Sequence, residues 1–586
     1  MLGRLVQFTG SAANKLRLFD KIVSPRIAYF CMEYGLDHKL PIYAGGLGVL
    51  AGDYLKAAKD LDAPLVGIGI LWNQDYTEQF IGEDGYPYDI YPNYDFSSVK
   101  DTGITVSVRV RGADVTCKVH KVDSFGNAPV YLLDTNFPGS DHGWMTNRLY
   151  GGVEQDRVAA EMILGIAGVR ALRALGIEVD IYHFNEGHAV FAGVELIREK
   201  MFNENMSFED AWKATQKEVV FTTHTPVEAG NETWDHELLQ HMEAYNGLTH
   251  EQMHDLGGDP FNMTIAALRL SNIANAVSKL HGQTARNMWG DVWETAPIIS
   301  VTNGVHVGTW QDKRIGEAFE KGEDLWEPHM ACKKELIDFI GKHTGASLNP
   351  DALLIGFARR AAPYKRSELI FRDLEVVHPL LKEGKIQLVF SGKAHPNDTL
   401  GKDIIQKLVR MDRKYRDSVV FLENYNMEVA RLMVRGCDVW LNNPRRPLEA
   451  SGTSGMKAAV NGVLNLSVVD GWVAEGLQHG LSGWLMCTVC GRTAHRAENQ
   501  DEQDLQALYN VLLTEVIPTY YDDRSRWNKM IRASIDMAHY QFSSHRMLRE
   551  YYDVIYQKTL LCRDKNVCIQ PFEKMPEEYA GQQRLQ

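Results

Sequence analysis

Short apolar runs that alternate with amphipathic stretches are the dominant pattern along the chain. An apolar run without internal alternation is typical of a strand buried on both faces, as in a parallel sheet. Such runs occupy 26–31, 65–70, 181–184, 219–223 and 298–301, and then 353–358, 386–391, 419–422, 439–441 and 463–468. Helical spacing predicts helices that end near Leu61 and at 154–175, 399–410, 427–435 and 455–461, with another from about Glu368. The alternation predicts an α/β fold with two doubly wound, Rossmann-like lobes facing each other across a cleft.

A turn at 302–306 separates the two halves and sets the predicted domain boundaries. We expect a first lobe at 1–300, a second lobe at 301–530, and C-terminal helices with a polar tail at 531–586. Polarity alternates along 104–111 and 115–122, which predicts a β-hairpin insertion near 100–135. A chain of 586 residues is too long for one hydrophobic core, in agreement with this division.

Charge and composition narrow the possible functions. The net charge of −14 and the pI near 5.8 argue against a general nucleic-acid binder, which needs a basic face. No apolar run approaches the roughly 18 residues that span a bilayer, so we expect no membrane contact. Residues 1–20 lack the apolar core and cleavage site of a secretory signal, so we expect a cytoplasmic protein.

The cysteines and histidines predict neither a disulfide scaffold nor a metal site. Eight cysteines are scattered over the long chain, unlike the dense spacing of small disulfide-rich folds. Cys487 and Cys490 form a lone CxxC pair without the four ligands that zinc needs. His183 and His188 have a glycine between them and fit no helical ligand motif.

The first candidate site is a glycine- and serine-rich turn that ends in Lys457. The segment 449–457 reads Glu-Ala-Ser-Gly-Thr-Ser-Gly-Met-Lys and follows a predicted strand. Such a turn at the start of a helix leaves N–H groups free to hold a phosphate, and a nearby lysine can form a Schiff base with pyridoxal phosphate. The alternative is an ordinary surface lysine after a flexible loop, and the turn alone favours that alternative.

A basic cluster directly after a predicted buried strand is the second candidate site. It consists of Arg359, Arg360, Lys365 and Arg366. Arginine binds phosphate through a planar fork and lysine as a point charge. Because cations at a helix start are unfavourable unless an anion is present, the cluster favours an anion site over a solvated basic face.

A glycine turn in the first half is the third candidate site. The segment 43–52 reads Tyr-Ala-Gly-Gly-Leu-Gly-Val-Leu-Ala-Gly and joins the first predicted strand to a helix. Its glycines do not match the GxGxxG fingerprint of dinucleotide-binding folds. A packing turn and a phosphate or sugar site are equally compatible with it.

Taken in order, these three elements resemble the α-glucan phosphorylase family, which has the GT-B glycosyltransferase fold. The most specific part is Glu-Ala-Ser-Gly-Thr at 449–453, followed by Met456-Lys457, Asn461-Gly462 and Asp470-Gly471. The resemblance implies a pyridoxal 5'-phosphate enzyme, expected as a homodimer. Its expected reaction moves the nonreducing-end glucose of an α-1,4-glucan (glycogen, starch or maltooligosaccharide) to inorganic phosphate, giving glucose 1-phosphate with retention.

The resemblance also implies roles for individual residues. The residues expected at the catalytic centre are Arg360, Lys365, Gly46 and His224. Those expected at the cofactor are Lys457, which would form the Schiff base, and Thr453, Ser454 and Arg359, which would hold its phosphate. Those expected at the transferred glucose are Glu449, Ser451, Gly452 and Asn275. Arg360, Lys365 and the Gly46 N–H would bind the substrate phosphate, and the His224 carbonyl would stabilise the cationic sugar.

Several positions depart from the larger animal and plant members of that family. Ala-Ala-Pro at 361–363 replaces Ile-His-Glu, Ser-Gly at 454–455 replaces Gly-Asn, and Glu186 replaces an aspartate. The chain resembles the compact bacterial or archaeal branch.

Two other functions stay open at this stage. A retaining nucleotide-sugar glucosyltransferase, similar to glycogen or starch synthase, shares the glycine turn and the Arg/Lys pair but has no use for an imine-forming lysine at position 457. A non-catalytic glucan-binding GT-B protein is the other possibility, and the intact Lys457, Arg360 and Lys365 argue against it.

Overall fold

Two large sheets form the framework of the molecule. The computed structural model describes residues 24–74, 76–94, 96, 98–227, 230–486 and 499–565, leaving aside the side chains of 564 and 565. A nine-stranded sheet belongs to the first half of the chain and a six-stranded sheet to the second. Cys487, Cys490 and the end of the predicted polar tail lie outside the described residues.

The strands and helices are numbered in chain order. The strands are β1 (Ile27–Phe30), β2 (Leu65–Ile70), β3 (Glu78–Ile81), β4 (Pro87–Ile90), β5 (Lys100–Val110), β6 (Ala113–Val122), β7 (Val130–Asp134), β8 (Ile181–Asn185), β9 (Val219–Thr222), β10 (Thr233–Trp234), β11 (Phe261–Asn262), β12 (Ile273–Ala276), β13 (Ile298–Ser300), β14 (Leu353–Ala358), β15 (Ile386–Ser391), β16 (Val419–Leu422), β17 (Val439–Asn442), β18 (Leu464–Ser467) and β19 (Gly483–Leu485). The helices are α1 (Gly46–Asp60), α2 (Glu154–Met162), α3 (Gly168–Ala174), α4 (Val190–Asn203), α5 (Phe208–Gln216), α6 (His236–Met242), α7 (His250–Gly257), α8 (Met263–Leu270), α9 (Lys279–Trp289), α10 (Val307–Trp310), α11 (Lys313–Lys321), α12 (Trp326–Thr344), α13 (Leu374–Lys382), α14 (Thr399–Lys414), α15 (Met427–Gly436), α16 (Thr453–Ala459), α17 (Val473–Gly476), α18 (Gln500–Val511), α19 (Ile517–Asp522), α20 (Arg524–Gln541), α21 (Ser544–Tyr551) and α22 (Gln557–Lys565).

Both sheets are doubly wound, as predicted. The second has the order β16-β15-β14-β17-β18-β19 with parallel pairing throughout, so its strand order reverses between β14 and β17. The first has the order β13-β12-β9-β8-β1-β2-β7-β6-β5 and reverses between β1 and β8. The predicted hairpin is β5–β6, which pairs antiparallel and extends the first sheet through β7. Ligands of such folds bind where the order reverses, at the carboxyl ends of the strands.

Burial on both faces explains why the strands are continuous apolar runs. Along β14, Leu353, Ile355 and Phe357 pack in one core of the second lobe, and Leu354 and Ala358 pack in the core on the other face. Successive side chains of a strand point to opposite faces, so a sheet covered on both sides needs apolar residues at every position.

The chain passes between the lobes twice, and the two crossings are hydrogen-bonded to each other. After β13 the first crossing runs through Val305, whose N–H donates to the Phe542 carbonyl at 2.8 Å. The Val305 carbonyl accepts from Ser544 N–H, also at 2.8 Å. Gly304 permits this approach, because a Cβ there would lie 2.4 Å from the Ser543 carbonyl oxygen. The domain boundaries given above stay predictions.

The C-terminal helices return to the first lobe after the second crossing. Tyr551, Tyr552 and Tyr556 are buried in the first-lobe core. The Tyr556 hydroxyl lies 2.6 Å from His183 Nδ1 and 2.5 Å from the Tyr54 hydroxyl. Of the helices described, none combines the length and apolarity needed to cross a membrane.

A small hairpin, β3–β4, reaches from the first lobe onto the second and was not predicted. Gln79 on β3 exchanges hydrogen bonds with the backbone of Ala394, donating at 3.2 Å and accepting at 2.9 Å. Asp89 on β4 accepts from Lys402 Nζ at 2.6 Å. The hairpin therefore ties the two lobes together at a second place.

The predicted start residues of two helices were wrong. The helix expected from Glu368 begins at Leu374, where the Asp373 side chain accepts from Glu375 N–H and caps it. Residues 363–365 and 369–371 form short 3₁₀ turns instead. The helix expected at 455–461 begins at Thr453 and ends at Ala459.

Candidate active site

The site lies where the strand order of the second sheet reverses. Arg359 follows β14 directly, and the turn with Glu449 follows β17, the neighbouring strand. Because parallel strands present their carboxyl ends at one sheet edge, two segments about 90 residues apart in sequence meet there. The structure thus brings the basic cluster and the turn before Lys457 together.

Glu449 is the centre of a buried ion cluster. Its Oε2 accepts from Lys365 Nζ and, at 3.2 Å, from Arg359 Nη1. Burial raises the pKa of Glu449, but Lys365 and Arg359 outweigh this effect and hold the pKa below its usual value. Glu449 therefore stays ionised, with two cations within reach of any ligand bound beside it.

Arg359 links this cluster to the helix that carries Lys457. Its Nη2 donates to the Ser454 hydroxyl at 3.2 Å and to Asn442 Oδ1. Its side chain is only 8% exposed. Thr453 is half-buried at the first position of α16, after Gly452, whose φ of 86° favours glycine.

Lys457 is buried, which rules out the ordinary surface lysine considered above. Its Nζ lies 4.1 Å from the centre of the Trp310 ring, and its residue exposure is 8%. Burial lowers the pKa of Lys457 to about 8, and the nearby Asp53 opposes that shift. About a tenth of the molecules therefore carry the neutral amine at pH 7, and this is the nucleophilic form.

Asp470 and Ser451 add two buried polar groups near Glu449. Glu449 N–H donates to Asp470 Oδ2 at 3.0 Å, and burial raises the pKa of Asp470 to about 7. The buried Ser451 hydroxyl has no hydrogen-bond partner within the described part of the chain. An unsatisfied buried hydroxyl is costly, so this atom is suited to a ligand.

Arg360 and Arg366 point to different surroundings although both belong to the basic cluster. Arg360 is exposed, and its charge opposes the pKa increase that burial causes in Tyr76 of the first lobe. Arg366 is buried and donates to Asp504 Oδ2 at 2.7 Å and to the Asn443 carbonyl at 2.8 Å. The anion site predicted at the cluster therefore cannot include Arg366, because its donors are already bound within the protein.

The glycine turn of the first lobe holds a carboxylate of the protein itself. Glu33 Oε2 accepts from the N–H groups of Ala44 at 2.6 Å and Gly45 at 3.1 Å. A Cβ on Gly48 would lie 2.6 Å from that oxygen, whereas one on Gly46 would meet no described atom within 4 Å. Gly48 is thus a packing glycine, and Gly46 is exposed at the start of α1.

His224 follows β9, the neighbour of β8, and the order of the first sheet reverses between β8 and β1. Its Nε2 is 2.7 Å from Asn185 Oδ1, and its N–H faces the Glu186 carboxylate at 3.2 Å. Burial lowers the pKa of His224 to about 3, and burial raises the pKa of Glu186 to about 7. Glu186 has a φ of 71°, an unfavourable conformation for a non-glycine residue and one that concentrates at functional sites.

Asn275 lies on the strand next to β9, and its backbone carbonyl accepts from Thr223 N–H at 3.0 Å. It is buried on β12, where its Oδ1 accepts from the Thr222 hydroxyl at 2.7 Å and its Nδ2 donates to the Tyr551 hydroxyl at 2.9 Å. The protein itself satisfies both ends of this amide, and the role of Asn275 as a sugar contact stays a prediction.

Sequence reasoning missed the residues beneath Lys457. Trp310 Nε1 donates to both oxygens of Asp53, at 3.0 and 2.9 Å. Asp53 is a buried acid directly after the glycine segment, and a single charge in the otherwise uncharged run 47–55 was the available signal. Trp310 gave no signal, since a buried tryptophan is ordinary core.

Comparison with known proteins finds one matching family model and several similar proteins that carry related names. The family model described as carbohydrate phosphorylase matches residues 169–246 and 318–511. The chain is 39% identical to the maltodextrin phosphorylase of Thermococcus litoralis, over 91% of this chain and 71% of that protein. It is 34% identical to the glycogen phosphorylase of Aquifex aeolicus, over 93% of this chain and 88% of that protein. It is 36% identical to the glycogen phosphorylase of Mycobacterium tuberculosis, over 90% of this chain and 70% of that protein.

Proposed function

The chain belongs to the carbohydrate phosphorylase family, and we propose that it transfers the nonreducing-end glucose of an α-1,4-glucan to inorganic phosphate. The product is glucose 1-phosphate with retained configuration. The names of the similar proteins, maltodextrin and glycogen phosphorylase, support this substrate class. The observation that carries the proposal is the convergence of Arg359, Lys365 and Glu449 beside the helix that holds the buried Lys457.

The residues at Lys457 fit pyridoxal 5'-phosphate. Lys457 is buried, partly neutral near pH 7 and stacked against Trp310, which suits a lysine that holds an aldehyde cofactor. Arg359 and the Ser454 hydroxyl, 3.2 Å apart, would hold its phosphate, with Thr453 next to them. When bound, the cofactor supplies a phosphate group that can share a proton with the substrate phosphate.

The cations of the site would neutralise two phosphates bound in the same cleft. Like charges at contact distance repel strongly in a low dielectric, so two phosphates need cations beside them. Arg360 and Lys365 would bind the substrate phosphate, together with the Gly46 N–H at the start of α1. Arg360 is exposed, and its charge acts on Tyr76 of the first lobe. Glu449 keeps Lys365 and Arg359 in place before the substrate arrives.

The reaction then needs one proton transfer and one exchange of bonds at the sugar. Inorganic phosphate gives its proton to the glycosidic oxygen, and the bond from that oxygen to C1 breaks. A phosphate oxygen bonds to C1 on the same face. Glu449, Ser451 and Gly452 would orient the glucose hydroxyls, and the His224 carbonyl would face the positive charge that develops on the sugar.

The activity is tested by incubating the protein with maltooligosaccharide and phosphate and assaying glucose 1-phosphate. Formation of glucose 1-phosphate supports the proposal. Turnover only with a nucleotide sugar would refute it and favour a synthase. Reduction with borohydride followed by peptide mapping tests for a pyridoxyl group on Lys457. A cytoplasmic location and a homodimer stay predictions.

A further inference from the structure

Three side chains of metal-binding type meet where the two crossings between the lobes lie side by side. Asp60 is the last residue of α1, His306 comes directly after Val305 in the first crossing, and His545 is the second residue of α21, after the second crossing. His306 and His545 are 246 and 485 residues from Asp60 in the chain. The spacing of histidines along the sequence therefore gave no sign of this cluster.

Both histidine rings face the same carboxylate oxygen. Asp60 Oδ2 lies 2.8 Å from His306 Nε2 and 2.9 Å from His545 Nε2. One ligand atom from each of the three residues lies within 4.8 Å of the other two. Zinc binds imidazole nitrogen and carboxylate oxygen at about 2.0–2.2 Å, so the ligand atoms around a tetrahedral ion are roughly 3.3 Å apart. An outward shift of about half an ångström would therefore admit the ion.

Thr309 holds the ring of His306 in an orientation that suits a metal ligand. The Thr309 hydroxyl lies 2.8 Å from His306 Nδ1 and 3.1 Å from Lys56 Nζ. Its oxygen has two lone pairs, so it can accept from both. When Nδ1 carries the proton, Nε2 directs a lone pair at the Asp60 carboxylate, and a cation between these two atoms relieves their repulsion. Without an ion, the proton moves to Nε2 and bonds to Asp60 directly.

The cluster borders a cavity of about 410 Å³, which gives an ion access and leaves room for water as a fourth ligand. Asp60 and His306 line this cavity, and 45% of the Asp60 side chain is exposed. Two cations share the wall. Lys56 donates to a backbone carbonyl at 2.7 Å, and Arg431 lies 3.8 Å from the Asp37 carboxylate. Both cations therefore have partners other than Asp60.

We propose that Asp60, His306 and His545 bind a divalent transition-metal ion, and zinc in particular. Zinc accepts two imidazoles and one carboxylate with water in the fourth position, whereas Mg²⁺ and Ca²⁺ prefer ligand sets made of oxygen alone. The bound ion joins α1 of the first lobe to both crossings. The metal site is independent of the proposed reaction, because its ligands are not among the residues assigned to the active site.

Calorimetric titration of zinc into the full chain tests the proposal, after chelator treatment and in phosphate-free buffer. Loss of a residue behind a ligand already weakens metal binding 10- to 100-fold, so loss of a ligand in His545→Ala should weaken zinc binding by about 100-fold or more. His343→Ala, an exposed histidine substitution on α12, is the matched control and should bind as the wild type does. Zinc should also raise the melting temperature of the wild type but not of His545→Ala.

Two further variants keep the result decisive. If His545→Ala lacks the wild-type circular dichroism, Asp60→Asn replaces it, because this change keeps the size of the side chain and removes its charge. A double Cys487→Ser, Cys490→Ser variant tests the other thiol or imidazole ligands that zinc could use, and it should retain the binding.

Zinc binding that is lost with His545 or Asp60 and kept without the two cysteines supports the proposal. A wild type that binds no zinc, or binding that the His545 and Asp60 variants leave unchanged, overturns it. Glucose 1-phosphate formation is assayed separately, so failure of the proposed function would leave the metal site standing.

Discussion

The ammonium group of Lys457 lies over the ring of Trp310, with 4.1 Å between Nζ and the ring centre. Trp310 in turn donates to Asp53 on the first helix of the first lobe. The lysine of the second lobe is thus supported from the first lobe through one tryptophan. Its burial and reactivity depend on how the lobes are assembled.

Replacing Lys457 tests the cofactor assignment. We expect Lys457→Ala to abolish uptake of pyridoxal phosphate, because no other described lysine lies on α16. Cofactor uptake is measured by the absorbance of the bound cofactor and by borohydride reduction followed by peptide mapping. Lys321→Ala, at an exposed position on α11, should leave uptake unchanged. Normal uptake by the Lys457 variant would disprove the assignment.

The rate of cofactor uptake should depend on pH. Burial lowers the pKa of Lys457 to about 8, so the neutral amine increases about tenfold per pH unit below that value and levels off above it. We expect the uptake rate of the cofactor-free protein to follow this curve. Asp53 raises the pKa of Lys457, so in Asp53→Asn the plateau should begin at lower pH. A rate independent of pH between 6 and 8 would contradict the assignment.

Arg360→Ala should keep the cofactor and lose phosphate turnover. Arg360 is the exposed cation of the basic cluster, whereas Arg359 is bound to Ser454 and Glu449. Losing one such donor should lower the rate by about 10²- to 10³-fold. Initial rates at varied phosphate measure the effect. Arg410→Ala, an exposed substitution on α14, is the control, and normal phosphate kinetics in the Arg360 variant would refute the assignment.

Sequence reasoning identified some of the site residues and missed others. The strands β2, β14, β15 and β16 have the bounds predicted from their apolar runs, since burial on both faces leaves an uninterrupted signal. The segments that converge on Glu449 were found because each follows such a strand. Arg366 was misplaced because a sequence shows a cation but not its partner, and Asp504 lies 138 residues away.

Contacts between lobes explain most of what was missed. The β3–β4 hairpin carries charged and polar residues because it pairs with Ala394 and Lys402 of the other lobe rather than with a core. Trp310 and Asp53, 257 residues apart, meet only after both lobes have formed. The hydrophobic periodicity of a segment reports its own helix or strand and does not reveal contacts with distant residues.

Asp438→Ala should be strongly destabilising. Both Lys333 and Asp438 are fully buried, 2.6 Å apart, and His329 also contacts the carboxylate. Burial raises the pKa of Asp438, but Lys333 and His329 outweigh it, so the pKa lies below 3.8. Removing one partner of a buried pair costs about 3–5 kcal/mol.

Urea unfolding measures this cost, with Asp338→Ala, an exposed substitution on the helix that carries Lys333, as control. Because the folded-state pKa is depressed, the stabilisation is present above the ordinary value of 3.8 and is lost as the pH falls through the folded-state pKa. Equal midpoints for the two variants at pH 7 would show that the pair contributes nothing.

Tyr556→Phe should loosen the C-terminal helices. The missing hydroxyl leaves His183 Nδ1 and the Tyr54 hydroxyl without this partner in a buried site. Leaving such a group unsatisfied costs about 1–3 kcal/mol. Thermal unfolding measures the loss against Tyr540→Phe, where the side chain is 81% exposed. Equal melting temperatures would show that the hydroxyl is dispensable.

The paired crossings at Val305 and Ser543 limit how the enzyme can admit a polymer. Two connections that are hydrogen-bonded side by side bend together, so they act as one hinge axis. We expect the lobes to rotate about this axis rather than slide past each other, and this rotation must break the hydrogen bonds of the β3–β4 hairpin with Ala394 and Lys402. The cleft then widens most at the edge farthest from the hinge, so a bulky branched glucan has a single direction of approach.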